Sequence, residues 1–108
     1  MTTFNEREKS FEKKFEHDQD LQFKVNVRRN KLLGLWAAGL LGKSGADAEA
    51  YAKEVVMADF EKPGDSDVVD KLVKDFAAAG KPTEAHTIRK QAERLLPEAK
   101  QQVMTETH

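Results

Sequence analysis

The chain has 108 residues, of which 34% are charged and 7% are aromatic, and its 18 basic and 19 acidic residues leave a formal net charge of −1. This length fits one domain with a modest core, and the near balance of charge argues against nucleic acid or a membrane surface as the partner. The lack of cysteine excludes disulfides and thiolate metal sites. The longest apolar run, residues 32–42, is too short for a bilayer span, which needs about 20 residues. We therefore expect a soluble, cytoplasmic protein without direct membrane insertion.

The N-terminal segment carries an apolar stripe that stops abruptly. Residues 3–6, TFNE, match a helix capping box, and Phe4, Phe11 and Phe15 lie within about 40° of one another on a helical wheel. Four polar residues, HDQD at 17–20, then interrupt the stripe. An isolated helix of about 15 residues is marginal in water. The pattern predicts that residues 1–17 form a protruding, partly disordered arm, which becomes helical when a partner covers the phenylalanines.

In this interpretation the arm binds a partner as a helix in a groove. The phenylalanines are the anchors, and Arg7 and Lys14 are polar contacts at the rim. The alternative interpretation is that the stripe continues the first helix of the domain and packs against its core.

The rest of the chain is divided by turn sequences at residues 42–45, 63–65 and 80–83. Between them, apolar residues recur at helical spacing, and no segment alternates in the manner of a strand. We predict helices at about 20–41, 46–60, 66–79 and 84–103, with a kink or early fraying at Pro97 and a loose tail at 105–108. The fold class is all-α: a four-helix bundle at residues 18–104 with the N-terminal arm.

One segment resembles a phosphate-binding loop. Residues 37–44, AAGLLGKS, fit a relaxed Walker A pattern in which alanine replaces the first glycine. Here, however, a helix and not a strand precedes the motif. The simpler interpretation is that Gly42 ends one helix and Ser44 caps the next. A weak ATP, ADP or anion site at Gly42, Lys43, Ser44 and Gly45 stays open as an alternative.

No arrangement typical of catalysis can be recognised. The three histidines, at 17, 86 and 108, do not stand at metal-ligand spacing, and the carboxylates are those of solvated helices. We expect no catalytic residue, no metal and no obligatory cofactor, and therefore no enzyme.

The central sequence is similar to that of a known family. Residues 28–43, RRNKLLGLWAAGLLGK, together with FEHD at 15–18, ADFE at 58–61 and GD at 64–65, resemble the zeta subunits of alphaproteobacterial F-type ATP synthases. The resemblance is close over residues 1 to about 75. It implies a four-helix bundle whose mobile N-terminal segment, here Met1 to about His17, inserts at a catalytic interface of the alpha and beta subunits beside the rotor subunit gamma. There it would block the rotation that accompanies ATP hydrolysis.

The resemblance further implies a chain that is monomeric when free and lies at the inner face of the plasma membrane when bound to the synthase. Two other functions are kept as alternatives. One is a nucleotide-binding regulatory domain that uses the loop at residues 42–45, and the other is a generic helical interaction module without an inhibitory arm.

Overall fold

The computed structural model describes residues 3–61 and 65–106, and the side chains of these residues except 3–5, 7, 61, 65 and 66. Within these ranges the chain forms five helices and no strand, so the all-α prediction is confirmed. The helices are α1 Thr3–His17, α2 Gln19–Leu40, α3 Gly45–Glu61, α4 Asp65–Ala78 and α5 Ala85–Glu106. Each bound of α2 to α5 lies within three residues of its predicted position. No described helix is long and apolar enough to cross a membrane.

Two helices end in the same way, at glycines that the sequence marks as turns. At the end of α2, Gly42 has a φ of 82°, and the Lys43 N–H donates to the Ala38 carbonyl at 2.8 Å. At the end of α4, Gly80 has a φ of 76°, and the Lys81 N–H donates to the Phe76 carbonyl at 2.9 Å. Both are Schellman motifs, which need a left-handed residue just after the helix.

Helices α2 to α5 pack side by side in a closed order, in which α2 and α4 each lie against both α3 and α5. Their main core contains Leu33 of α2, Val55 of α3, Leu72 and Phe76 of α4, and Ile88 of α5. All five side chains are fully buried. This packing order is compatible with a four-helix bundle, which stays a prediction. We refer to α2–α5 as the body.

A second apolar cluster lies where α1 meets the body. Its buried members come from α1, α2 and α5, and they are Phe11, Leu21, Val25, Ala99, Val103 and Met104. Phe15, Leu32 and Leu96 pack around them. We call this group the α1 cluster.

The last helix is longer than predicted. Pro97 lies inside α5, yet the helix continues to Glu106, so the expected early fraying and the loose tail at residues 105–106 are wrong. Residues 107–108 lie outside the described residues. Two contacts hold the end of the helix: the α1 cluster buries Val103, and Arg28 of α2 donates to the Glu106 carboxylate at 2.6 Å. This hydrogen bond raises the pKa of Arg28 and lowers that of Glu106.

Candidate functional site: the docked N-terminal helix

A single residue separates α1 from α2. Asp18 has extended backbone angles, with φ −103° and ψ 107°, and its side chain accepts a hydrogen bond from the Leu21 N–H at 3.2 Å. This is the N-cap geometry that begins a helix. From the first turns of α2, Gln22 donates back to the Phe15 carbonyl at 2.7 Å. The polar stretch at residues 17–20 therefore acts as an elbow that fixes the direction in which α1 leaves the body.

The apolar stripe of α1 is not free. Phe11 is only 7% exposed and belongs to the α1 cluster, and Phe15 is half-buried against the same cluster. The prediction of a protruding arm with an uncovered stripe is wrong for these two residues, and the alternative of packing against the domain describes them. The physical reason is the length of α5, because Ala99, Val103 and Met104 supply apolar surface beyond Pro97. The side chains of Phe4 and Arg7, the other predicted contacts, lie outside the described residues.

A lysine of α5 reinforces the docking of α1. The Lys100 ammonium lies 3.2 Å from Glu12 Oε1 and 4.4 Å from the centre of the Phe15 ring. Both contacts are partly solvated, and each contributes about 1 kcal/mol or less. The sequence alone does not indicate the role of Lys100. It lies far along the chain from Glu12 and Phe15, and no local pattern connects it with them.

A cleft of about 240 Å³, open to solvent, runs along the seam between α1 and α5. It is lined by Glu8 and Phe11 on one side and by Leu96, Pro97 and Met104 on the other.

The outer face of α1 is charged. Glu8, Lys9, Lys13, Lys14 and Glu16 are exposed, so the predicted rim residue Lys14 points to solvent. The helix is amphipathic, with phenylalanines against the body and charges outside, as a helix that binds in a groove is expected to be.

The loop at residues 42–45 is built as a helix-to-helix turn. The N–H groups of Gly42 and Lys43 donate to Gly39 and Ala38 at the end of α2, and α3 begins at Gly45. A phosphate-binding loop instead points such amides at the ligand. The Lys43 ammonium lies 5.7 Å from the centre of the Tyr51 ring, and Ser44 is exposed with its carbonyl accepting from the Asp47 N–H at 3.2 Å. The geometry of this loop favours the simpler interpretation, in which it ends α2 and begins α3.

A polar network joins α3 to α4 next to this loop. The Tyr51 hydroxyl donates to Asp75 Oδ2 at 2.6 Å, and the Lys71 ammonium lies 3.1 Å from the same oxygen. Burial, and then the hydrogen bond to Asp75, raises the pKa of Tyr51 well above its usual value. This tyrosine therefore stays neutral, and the network ties two helices of the body together.

Comparison with known proteins finds a family model and a solved structure that are similar to this chain. The model of the family described as ATPase inhibitor subunit zeta matches residues 1–102, which include α1 and most of α5. A protein whose structure was solved by NMR in solution is 48% identical, with a TM-score of 0.70, and the match covers 80% of this chain and 98% of that one. A search of curated proteins finds no match.

Proposed function

The chain belongs to the ATPase inhibitor subunit zeta family, and from this premise we propose that it inhibits ATP hydrolysis by the F-type ATP synthase through α1. In this proposal α1 inserts at a catalytic interface between the alpha and beta subunits, beside the rotor subunit gamma, and blocks rotation. The chain is then a regulatory protein without catalysis of its own. The observation that carries the proposal is that α1 is a discrete amphipathic helix, joined to the body by the single residue Asp18.

Insertion requires α1 to exchange one apolar partner for another. Releasing Phe11 and Phe15 from α5 costs roughly 3–5 kcal/mol in lost burial. The cleft in the synthase must therefore bind the released helix more strongly than α5 does. Only the released helix can enter the cleft. The apparent affinity is therefore the intrinsic affinity of the released helix multiplied by the fraction of molecules in which α1 is released.

Inhibition then follows from differential binding. A catalytic interface that opens and closes during each cycle is held in one state by a helix that binds that state better than the others. The body stays attached through the elbow at Asp18. It keeps α1 near the cleft at high effective concentration and adds contacts outside it. We place the chain on the cytoplasmic side, bound to the synthase headpiece, and expect a monomer when it is free.

The two alternatives have less support. A nucleotide-binding role for the loop at residues 42–45 is disfavoured because the N–H groups of Gly42 and Lys43 are already bonded within the end of α2. Weak ATP or ADP binding stays a hypothesis, which a calorimetric titration of ATP into the protein tests. A generic interaction module without an inhibitory arm is distinguished from our proposal by measuring how α1 variants inhibit ATP hydrolysis.

The test is inhibition of ATP hydrolysis by purified ATP synthase. A double variant, Phe11→Ala with Phe15→Ala, removes both described anchors. We expect its potency to fall by about tenfold or more, because a few buried aromatic residues dominate most interfaces. Leu40→Ala is the control, since Leu40 is a large apolar residue, 46% exposed, that lies at the far end of α2 from α1. Circular dichroism is the check that both variants keep their helices.

Because the double variant also weakens the docking of α1, it is compared with Lys100→Ala, which weakens docking and keeps both phenylalanines. Equal potency of these two variants contradicts the assignment of the anchors. Inhibition that also survives removal of residues 1–17 contradicts any role of α1 and favours the body as the inhibitory surface.

A further inference from the structure

The strongest feature that the proposed function does not use is an exposed apolar patch between α2 and α3. Three of the four large apolar side chains that are exposed in the described part of the chain lie on it, namely Phe23 at 52%, Met57 at 56% and Phe60 at 47%. The Phe23 and Phe60 rings lie 5.5 Å apart. Half-buried Val27 and Val56 connect them to an open groove. We call these five residues the α2/α3 patch.

The sequence spacing of these residues places them on one face of each helix. Phe23 and Val27 are four residues apart on α2, and Met57 and Phe60 are three apart on α3, so each pair lies on one helix face. Val27 lines both the groove toward Met57 and the neighbouring hollow that Phe23 lines. The patch is thus continuous across the seam between the helices. No described residue of α1 lines the groove or the hollow, although Val103 of the α1 cluster lines the hollow.

The rim of the patch is basic. Lys24, Lys31 and Lys53 are exposed along it, against two exposed carboxylates, Glu49 and Glu106. Arg28 also lines the groove, but its charge is balanced by Glu106 at 2.6 Å. Lys24 and Lys53 form no ion pair with any residue that the structure describes. The chain as a whole carries a net charge of −1, so the rim of the patch is more positive than the chain average.

We propose that the α2/α3 patch is a second docking surface, which binds an acidic amphipathic helix of the ATP synthase. An apolar groove between two helices fits a third helix that lays apolar residues between them. Acidic residues flanking that apolar stripe would meet Lys24, Lys31 and Lys53. The inference rests on the proposed function only in naming the synthase as the partner. It assigns to the body the contacts that would hold α1 near its cleft.

Charge disfavours a second copy of the chain as the occupant, and shape disfavours a membrane. A second copy of the chain, related by a two-fold axis through the patch, would place the same lysines against one another. An anionic membrane would suit the lysines, but a surface-binding helix offers a convex apolar face to lipid, whereas this patch is a groove. An acidic helix satisfies both the shape and the charge.

The test measures binding of the full-length chain to purified ATP synthase. Met57→Glu and Lys53→Glu change exposed residues, so the fold is preserved, and each should weaken binding by about tenfold. Lys90→Glu is the matched control, because Lys90 is an exposed lysine on α5, and it should bind as the wild type does. Lys53→Glu should also reduce the salt dependence of binding.

A cross-linking experiment identifies the occupant. Because the chain has no cysteine, Met57→Cys carries a single photoactivatable maleimide. We expect it to cross-link to an acidic helix of the synthase, while the same label at Lys90→Cys should not. Binding that is unchanged in both glutamate variants overturns the proposal. So does a dimer of the free chain that Met57→Glu dissociates, or binding to anionic lipid vesicles that Lys53→Glu abolishes.

The outcomes separate this inference from the proposed function. If the α1 anchor variants lose inhibition while the patch variants bind normally, the patch inference is wrong and the role of α1 stands. If the patch variants bind weakly while the α1 anchor variants inhibit normally, the patch inference stands and the proposed role of α1 is wrong.

Discussion

The Lys100 ammonium lies 4.4 Å from the centre of the Phe15 ring, and the same group reaches Glu12 at 3.2 Å. One side chain of α5 thus contacts two residues of α1. Since Lys100 is not part of α1, its substitution changes the docked state without changing the inhibitory helix. It therefore measures how far docking competes with inhibition.

Replacing this residue, Lys100→Ala, should make the chain a better inhibitor. The loss of the cation–π contact and of the partly solvated ion pair weakens docking by roughly 1 kcal/mol, which corresponds to about a fivefold change in the released population. Inhibition titrations should show a similar gain in potency, and amide exchange in α1 should be faster. Lys90→Ala, an exposed lysine on the same helix, is the control. A loss of potency would indicate that Lys100 contacts the synthase.

Locking α1 in its docked position should abolish inhibition. The double variant Glu12→Cys with Lys100→Cys places thiols on either side of the seam, and a short bismaleimide joins them in this otherwise cysteine-free chain. We expect the linked protein to lose most of its inhibition, because the tethered helix cannot leave α5. The unlinked double variant should still inhibit ATP hydrolysis.

The matched control for this experiment links α4 to α3. Glu54→Cys with Lys71→Cys replaces another ion pair of the body, at 3.5 Å, but leaves α1 free to move. It should inhibit with and without the linker. If the Glu12–Lys100 link also leaves inhibition intact, the docked helix or another surface is the inhibitor, and release of α1 is not required.

The close approach of α2 and α3 depends on Gly34. A methyl group at this position would lie 2.8 Å from the Ala52 Cα and 3.2 Å from the Val55 Cβ. Gly34→Ala should therefore lower the free energy of unfolding by about 1–3 kcal/mol, the usual cost of overpacking. Gly39→Ala, in the same helix, meets no atom within 4 Å and should stabilise by up to about 1 kcal/mol. Urea unfolding measures both, and equal values for the two variants would contradict this packing.

The helices of the body could be predicted from the sequence because their ends carry local chemistry. Gly42 and Gly80 occupy the left-handed positions of two Schellman motifs, and few residues other than glycine adopt that conformation readily. The apolar stripes between the turns then show which faces are buried. Such information is contained within short stretches of chain, where single-sequence reasoning works well.

The docking of α1 could not be predicted in the same way, because it depends on contacts distant in sequence. The polar residues 17–20 predict that the segment before them does not pack against the body. In the structure Asp18 instead caps α2, and α1 folds back onto the body. The receiving surface, including Val103 and Met104, lies beyond Pro97. The stripe of α5 predicts that Ala99 and Val103 are buried, but nothing local in the sequence indicates that the helix burying them is α1.

The Tyr51 hydroxyl joins α3 to α4 by donating to Asp75 Oδ2 at 2.6 Å. Tyr51→Phe removes a hydrogen bond to a charged acceptor and should cost about 1.5–3 kcal/mol at neutral pH. Because the pKa of Tyr51 is raised in the folded state above its usual value of 10.0, this stabilisation is fully present below about pH 10 and is lost as the pH rises through the folded-state pKa. The stability difference between the wild type and the variant should therefore shrink in strong alkali.

Two measurements check this prediction. Urea unfolding of both proteins is compared from about pH 7 to about pH 11, and phenolate absorbance is followed over the same range. Tyr51 is the only tyrosine in the chain, so the absorbance reports this residue alone. We expect it to rise together with alkaline unfolding. A phenolate that forms near pH 10.0, the usual pKa of tyrosine, while the helices remain intact would show that Tyr51 is open to solvent and that the bond to Asp75 does not hold α3 against α4.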